Sequence, residues 1–558
     1  MRAVDYLIKK LIQYGVSDAF GIPGGVILDL LYALKGSRQI CPHLMFHEQA
    51  AGFAALGYAQ TNGTLGTAYA TRGPGFTNLV TAIADAYQES LPVIFITAHL
   101  QQTRDSAQRM ELDQELDAVG LVRRITKYAG SIDALEDFVP MVDTACQCAV
   151  SSRQGPVLLD VYAPLWYRDV ECREAAAVRK KQDMANSFTA LYTFINKAKR
   201  PVILAGNGVR QSRSERSVLN LAEVCNIPIL TSRCSQDLFG TSSTNFGYIG
   251  SHGLRYSNFI LSKADLIIAL GNRMSFPIHS ASFAPLFKQA AVVQVEIDRA
   301  ELVKKFPNCI QYNMDLKEFF TQLDVRCIEQ RDSNWLDICR RLKHELFAWD
   351  TEYPVDLLSE IMKKLPENFI ITADVGNHEF WVSRAYAHAG ICHRILYSRA
   401  FGTLGNALPK SIGVYYKTRK PVLCITGDQG LQMNIQELQF ISANKLPVGI
   451  LLINNRSSGM IHSHEKLKYG EQFVHTTQSD GYSTPNFGAV ARAYGLAYQK
   501  VTRKEDAIEC VSREIGPYLL EIDVQEDTDL CLSLPKGHPC QDMAPELDRD
   551  FYQRLNSW

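Results

Sequence analysis

The 558-residue sequence has no apolar run close to the roughly 20 residues that a membrane-spanning helix requires. It has no run of Lys and Arg, and a net charge of -1 offers no electrostatic basis for nucleic-acid binding. Its 14 cysteines include no CxxC pair and no His/Cys cluster at zinc spacing. No secretory signal precedes the first periodic segment. We therefore expect reduced thiols and a cytoplasmic location, with neither a membrane nor a nucleic acid as partner.

What the sequence does contain is a repeated alternation of short apolar strands with helical segments. This pattern predicts an α/β protein with three doubly wound parallel-sheet domains. We expect an N-terminal domain at residues 1–165, a central domain at 188–330, a C-terminal domain at 350–535, and a polar tail at 536–558 that lies over the surface. The polar stretch from Arg173 and the charged region around Gln330 are the expected linkers.

The N-terminal segment has apolar residues at helical spacing: Val4, Leu7, Ile8, Leu11 and Ile12. This spacing predicts an amphipathic helix with one buried face. A targeting helix is the alternative, although the apolar core and cleavage site of a signal peptide are missing.

Two distant segments follow one pattern of strand, Gly-rich turn, helix, Leu-Pro-Val and strand. They are ATRGPGFTNLVTAIADAYQESLPVIFITA from Ala70 and ITGDQGLQMNIQELQFISANKLPVGILLIN from Ile425. Two copies of one domain type would explain the likeness, and so would the general similarity of βαβ units.

Gly427-Asp428-Gln429-Gly430 and Asn454-Asn455 each follow an apolar strand. Ligands of open parallel sheets bind beyond the carboxyl ends of the strands. An acid and an amide at two such ends can hold Mg²⁺ against phosphate oxygens, since this ion prefers oxygen ligands. Taken alone, Gly-Asp-Gln-Gly could also be a simple turn.

The segment from Ile425 to Met460 resembles the thiamine-diphosphate motif of the acetolactate synthase, pyruvate oxidase and decarboxylase superfamily. The resemblance implies a pyrimidine-binding, a central Rossmann-like and a diphosphate-binding domain, with thiamine diphosphate and Mg²⁺ as cofactors. It makes Asp428, the Asn455 side chain and the Ser457 backbone carbonyl the metal ligands. It implies further cofactor contacts at Val375, Gly376, Asn377, His378, Gly402, Leu404, Gln429, Gly430, Ser458, Gly459 and Met460. Alone, His378 could be a structural histidine and Leu404 a plain core residue.

LMFHEQAAGFAALGYAQTNG, from Leu44, is similar to the family segment whose glutamate touches the cofactor's pyrimidine ring. The resemblance gives this role to Glu48, whose carboxyl would exchange a proton with the ring. It places Leu404 under the bent cofactor. Gln429 departs from the family, which has glycine there, and a non-glycine residue would be strained if that position required a positive φ.

On the substrate side, Gly24, Gly25 and Gln114 match positions that face the reacting carbons in acetolactate synthases. The glycines could equally form only a turn, and Gln114 could be a solvated side chain. Three other residues depart from the synthase pattern: Arg72, Asp113 and His464. These departures predict an acceptor other than a second pyruvate.

The resemblance implies decarboxylation of a 2-oxoacid, pyruvate in the first place, and transfer of the remaining two-carbon unit to a carbonyl acceptor. Such an enzyme would be a homodimer or homotetramer in which Glu48 of one subunit meets Asp428 of another. A simple decarboxylase that releases aldehyde is one alternative. A non-catalytic paralogue that binds the cofactor without turnover is the other, motivated by Gln429 and the altered acceptor residues.

The central domain leaves FAD binding open. AGNGVRQS from Ala205 and the acid Glu296 resemble places that hold FAD in the synthases, but GNRMSFPIHS lacks the paired acids that usually follow the family's arginine. A single Gly-rich turn is weak evidence. A vestigial domain without flavin is the alternative.

Overall fold

The structure, a computed structural model, describes residues 1–100, 112–171, 188–275, 280–303, 306–470, 472–513, 516–526, 528–530 and 532–558. The linker predicted from Arg173 lies outside these ranges. Within them, no helix combines the length and the apolar character needed to cross a bilayer.

The strands form three sheets of six, and every pairing within them is parallel. The strands of the first sheet are β1 Asp18–Gly21, β2 Cys41–Leu44, β3 Gly66–Tyr69, β4 Val93–His99, β5 Tyr128–Ile132 and β6 Val157–Tyr162. Those of the second are β7 Pro201–Ala205, β8 Ile229–Thr231, β9 Asn245–Tyr248, β10 Leu266–Leu270, β11 Ala291–Glu296 and β12 Cys309–Asn313. Those of the third are β13 Ile370–Ala373, β14 Arg394–Leu396, β15 Val422–Gly427, β16 Val448–Asn454, β17 Ala497–Val501 and β18 Tyr518–Asp523.

The helices connect these strands. Up to the end of the first sheet they are α1 Ala3–Gln13, α2 Leu28–Ser37, α3 Glu48–Asn62, α4 Pro74–Glu89, α5 Ala118–Val122 and α6 Leu135–Val150. The middle of the chain has α7 Phe188–Lys197, α8 Gly208–Gln211, α9 Glu215–Val224, α10 Arg255–Ser262, α11 Ala284–Gln289, α12 Leu316–Gln322, α13 Asn334–Leu346 and α14 Tyr353–Lys364. The remainder are α15 Asn377–Ala389, α16 Ala407–Thr418, α17 Asp428–Met433, α18 Glu437–Ala443, α19 Gly459–Tyr469, α20 Phe487–Ala493, α21 Lys504–Arg513 and α22 Arg549–Asn556.

The strand orders relate the first and third sheets to each other. The first sheet runs β2-β1-β3-β4-β6-β5 and the third runs β14-β13-β15-β16-β18-β17, which is the same order once each is numbered from its own first strand. The second runs β12-β11-β10-β7-β8-β9, the order of a Rossmann fold. The predicted fold class of three parallel α/β sheets is thus confirmed, and the internal likeness corresponds to two copies of one topology around a different sheet.

The chain divides into two compact units. One comprises Met1–Lys180, Leu365–Glu379 and Arg394–Thr528 and holds the first and third sheets, while the other comprises Lys181–Lys364, Phe380–His393 and Asp529–Trp558 and holds the second.

In the first unit, the helices α3 and α16 pack with their backbones in contact. A Cβ at Gly413 would lie 1.8 Å from the Ala54 carbonyl oxygen, and one at Gly57 would lie 2.3 Å from the Lys410 carbonyl oxygen. The small residues of α3 permit this approach, and most of the helix is buried. The contact joins the first and third sheets through one shared core.

The helix predicted at the N terminus is α1, in which Val4, Leu7, Ile8 and Leu11 are buried as expected. The C-terminal tail does not lie wholly over the surface. Met543 and Leu555 are completely buried. The Arg255 guanidinium donates hydrogen bonds to the backbone carbonyls of Met543 and Pro545. The expectation of a surface tail was wrong for these residues, because a few apolar side chains at wide spacing give no periodic signal.

Candidate active site

The carboxyl ends of β15 and β16 lie side by side, because Gly427 is opposite Ile453 in their parallel register. Asp428 and the two asparagines therefore leave the sheet at the same edge. The Asn454 amide donates a 2.7 Å hydrogen bond to the buried carboxylate of Glu521. Asn454 is thus held in the structure of the sheet, and Asn455 is the asparagine that remains for a ligand.

The first residues of α15 and α19 meet at this edge. A Cβ at Gly459 would lie 2.5 Å from the Asn455 side-chain nitrogen and 3.1 Å from that of Asn377. His378 lies against Gly427, where a Cβ would be 3.1 Å from its ring. Helix N termini favour anionic groups, since their free N–H groups carry partial positive charge.

Several buried polar atoms at this edge have no hydrogen-bond partner among the described residues. They are Oδ2 of Asp428, both side-chain polar atoms of Asn377, and Nε2 of His378. Buried polar atoms are rarely left unpaired, and each such atom calls for a partner. A carboxylate and amides around helix N termini suit a metal-bound diphosphate, so the residues present fit the predicted cofactor.

Burial shifts the titration of these groups. It raises the pKa of Asp428 to about 6, against the opposing effect of the Gln429 N–H, which donates a 2.9 Å hydrogen bond to the carboxylate. Burial lowers the pKa of His378 to about 4, so this imidazole is neutral at neutral pH. The Tyr482 phenol lies beside the Asp428 carboxylate, and burial raises its pKa.

Gln429, the departure from the family motif, lies in the first turn of α17. Its φ is not positive. The substitution therefore causes no backbone strain. Its side-chain oxygen accepts a 3.3 Å hydrogen bond from the Ser458 hydroxyl, which links the two halves of the motif. The position that requires glycine is Gly430, where a Cβ would lie 2.7 Å from an oxygen of Asp374.

Asp374, at the end of β13, organises the loops of the site, a role that the sequence did not suggest. Its fully buried carboxylate accepts hydrogen bonds from the N–H of Val375 at 2.8 Å, the N–H of Gly405 at 2.9 Å and the hydroxyl of Thr426 at 3.0 Å. Burial raises its pKa to about 6. An acid directly after the buried strand segment Ile370–Ala373 was the only available signal.

Leu404 lies in a loop that packs on the chain following Asp428. Gly402 and Gly405 have φ values of +73° and +83°, which favour glycine. The Asn434 amide donates a 2.8 Å hydrogen bond to the Gly405 carbonyl. Leu404 itself is half-buried, so it is not a plain core residue within the single chain.

Glu48 is the first residue of α3, and it is half-buried in the single chain. The Asn78 amide of α4 donates a 3.0 Å hydrogen bond to its carboxylate. A Cβ at Gly75 would lie 3.3 Å from the other carboxylate oxygen. The start of α4 therefore lies against the predicted proton-transfer group.

Two of the predicted substrate-side residues, Gly24 and Gln114, lie against the segment 71–73 that leads into α4. A Cβ at Gly24 would lie 2.4 Å from the Thr71 side chain, and one at Gly73 would lie 2.4 Å from the Gln114 carbonyl oxygen. Arg72 forms an ion pair with the nearly buried Glu115. The space beside Gly25 is open. Asp113, Gln114 and His464 are exposed, and residues 101–111 are outside the described chain.

Within the described part of one chain, no hydrogen bond or ion pair joins Glu48 to Asp428, Asn377 or Asn455. Glu48 lies at the start of α3, and the other three residues lie beyond the ends of β13, β15 and β16.

The sequence matches three known protein families along its length. Residues 1–121 match the thiamine pyrophosphate enzyme N-terminal TPP binding domain, residues 188–323 the central domain, and residues 374–522 the C-terminal TPP binding domain.

Curated relatives match over nearly the whole chain. The large subunit of acetolactate synthase isozyme 2 from Escherichia coli is 30% identical, and the match covers 98% of this chain and 100% of the relative. That of isozyme 1 from the same organism is 32% identical, with 97% of each chain covered. A probable acetolactate synthase large subunit from Methanocaldococcus jannaschii is 32% identical, with 96% and 94% covered.

These matches confirm the resemblance that the segment 425–460 and the Glu48 segment suggested. The chain belongs to the acetolactate synthase large-subunit family of thiamine pyrophosphate enzymes.

Proposed function

We propose that this protein decarboxylates a 2-oxoacid, pyruvate in the first place, and joins the remaining two-carbon unit to a carbonyl acceptor. The observation that carries this proposal is the set of unpaired buried polar atoms of Asp428, Asn377 and His378 beyond the strand ends. The curated relatives are named as synthases, which favours carboligation over simple release of an aldehyde. A non-catalytic paralogue is not favoured, because Gln429 distorts neither the backbone nor the Asp428 carboxylate.

Thiamine diphosphate, when bound, supplies the nucleophilic carbon for the 2-oxoacid carbonyl and the electron sink for the departing CO₂. Asp428, the Asn455 side chain and the Ser457 carbonyl would hold Mg²⁺ against its diphosphate. Asn377 and His378, with the backbone of Val375 and Gly376, would bind the diphosphate itself. Gln429, Gly430, Ser458, Gly459 and Met460 would surround it.

Glu48 would hold a proton at its carboxyl oxygen and exchange it with the pyrimidine ring. Asn78 would orient the carboxyl group through the hydrogen bond described above. Leu404 would support the bend of the cofactor, and Gly402 would bind the pyrimidine edge through its backbone.

The acceptor would bind near Gly24, Gly25 and Gln114. The ion pair of Arg72 with Glu115 places a charged, hydrogen-bonding group where the synthase pattern has a small residue. The departures at Arg72, Asp113 and His464 together support an acceptor other than a second pyruvate.

The family resemblance supports a homodimer as the active unit, alone or within a homotetramer, in which Glu48 of one subunit would meet Asp428 of another. We also propose a cytoplasmic location and the domain bounds predicted above.

Binding of FAD by the central domain stays a prediction. A Cβ at Gly206 would lie 2.3 Å from the Gly271 carbonyl oxygen, so the Gly-rich turn of the central domain packs closely on the end of β10. A visible absorbance spectrum of the purified protein tests for flavin.

The deciding experiment incubates the protein with pyruvate, Mg²⁺ and thiamine diphosphate, with and without a panel of ketones, aldehydes and nucleotide-linked ketosugars. Mass spectrometry should detect a product two carbons larger than one of the acceptors. Release of acetaldehyde alone with every acceptor would support a simple decarboxylase, and no consumption of pyruvate despite cofactor binding would support the paralogue.

A further inference from the structure

Glu437 is a completely buried acid at the start of α18. One of its carboxyl oxygens, Oε1, accepts a 3.0 Å hydrogen bond from the backbone N–H of Phe46, which lies 391 positions earlier in the chain. The His47 N–H also favours the charged form of this carboxyl group. Glu437, on α18, therefore holds the backbone at Phe46, two residues before Glu48.

The two residues before Glu48 set where α3 begins. The His47 ring nitrogen Nδ1 accepts a 3.0 Å hydrogen bond from the Gln49 N–H, and its carbonyl accepts another from the Ala51 N–H. His47 is thus the N-cap of α3, and Glu48 is the first helical residue. Whatever fixes the backbone at Phe46 and His47 also fixes the starting point of the Glu48 side chain.

The rest of α3 is fixed independently by its close backbone contact with α16. A rigid helix body still allows its first turn to fray, because the first N–H groups of a helix have no partner within it. At this end, the carboxyl group of Glu437 holds the backbone of Phe46, while Asn78 contacts the Glu48 side chain.

An acid at this place is costly to the fold. Burial raises the pKa of Glu437 to about 8, and its second oxygen, Oε2, has no hydrogen-bond partner among the described residues. A buried polar group with an unpaired atom destabilises the folded chain. We therefore attribute to Glu437 an effect on the position of the Phe46 backbone, which its Oε1 oxygen binds, and not a gain in stability.

We propose that Glu437 is a positioning residue for Glu48, whose carboxyl oxygen anchors the Phe46–His47 backbone and so holds the start of α3 in place for proton transfer. This inference rests on the proposed role of Glu48.

The test uses three variants of the full chain. Glu437→Ala removes the acceptor, and Glu437→Gln keeps an acceptor oxygen of the same shape. Glu89→Ala is the matched control, because the Glu89 carboxylate likewise accepts a backbone hydrogen bond from the third-sheet side, at Ala400, but does not touch Phe46.

The first readout is amide hydrogen exchange of Phe46 in the protein without cofactor. In Glu437→Ala the Phe46 amide should exchange at least about tenfold faster than in the wild type, because it loses its hydrogen bond to the carboxyl oxygen. Glu437→Gln and Glu89→Ala should leave its rate within about threefold of the wild type. This readout depends on neither the cofactor nor turnover, so it separates the anchor from the proposed function.

The second readout is the steady-state kinetics with cofactor and pyruvate. Glu437→Ala should lower kcat about 10- to 100-fold while KM changes less than about threefold, because a displaced proton-transfer group affects the chemical step more than binding. Glu437→Gln should restore kcat to within about threefold of the wild type.

Unchanged exchange at Phe46 in Glu437→Ala would overturn the proposal, as would fast exchange in a folded Glu437→Gln. If Glu437→Ala does not fold, Glu437→Asp replaces it, since the shorter side chain draws the oxygen away from Phe46. Slow exchange at Phe46 in that variant would equally overturn the anchor. A kcat that falls as far in Glu437→Gln as in Glu437→Ala would show that the acid, and not the anchor, matters.

Discussion

A single added methyl group at Gly459 should weaken the proposed Mg²⁺ site. The Cβ of Gly459→Ala would lie 2.5 Å from the Asn455 side-chain nitrogen and 3.1 Å from that of Asn377. Carbon and nitrogen normally approach no closer than about 3.5 Å, so the Asn455 amide must move by about 1 Å. Asn455 is buried and its side chain is short, so this movement takes the amide away from the position of a ligand.

Loss of geometry around a metal ligand typically costs about 10- to 100-fold in metal affinity, or about 1.4 to 2.8 kcal/mol. We expect this loss for Mg²⁺ at saturating thiamine diphosphate, measured by titration calorimetry. Gly36→Ala is the matched control, because no heavy atom lies within 4 Å of the added Cβ and the residue is within α2. An affinity of Gly459→Ala within about threefold of the wild type, with an unchanged melting temperature, would refute the assignment of Asn455.

Three further changes test other parts of the structure. Glu48→Gln should lower CO₂ release from pyruvate by at least about 100-fold with the cofactor still bound, since the amide cannot exchange the proton, and a near-wild-type rate would contradict its role. Gly413→Ala should destabilise the chain by about 1 to 3 kcal/mol in urea unfolding, because its Cβ would lie 1.8 Å from the Ala54 carbonyl oxygen and α3 must separate from α16; stability equal to that of Gly36→Ala would argue against the close contact. The pKa of Glu437 is raised from 4.5 to about 8 in the folded chain, so the wild type should lose stability relative to Glu437→Gln as the pH rises from 5 to 8, by about 1 kcal/mol or more. Parallel stability curves of the two proteins over this range would contradict the burial of that acid.

The helices and strands around the site could be predicted from local sequence patterns. The apolar spacing of Val4, Leu7, Ile8 and Leu11 predicted α1, since helical periodicity marks a buried face. The strand before Asp428 and the strand before Asn455 predicted two neighbouring carboxyl ends, and these strands are paired in parallel. The family resemblance, confirmed by the comparisons, then suggested which chemistry these ends would serve.

Details that depend on contacts between residues distant in sequence could not be predicted from the sequence. Glu521, a residue on another strand, binds the Asn454 side chain and so leaves Asn455 as the asparagine that can bind a ligand. The Gln429 side chain is bound by Ser458, 29 positions later, and the tail is held at the Met543 carbonyl by the Arg255 guanidinium. None of these partners is marked by spacing or composition.

The sequence by itself determined the three parallel α/β sheets, the strand ends that carry Asp428 and Asn455, and the family to which the chain belongs. Periodicity and short motifs act over a few residues, and a parallel sheet places its strand ends together by its own geometry. Only the tertiary structure decided that Asp374 joins the Gly405 loop to the end of β15 and that Glu437 binds the Phe46 backbone before Glu48. Such contacts join residues far apart in the chain, and they form only when separate helices and strands have packed.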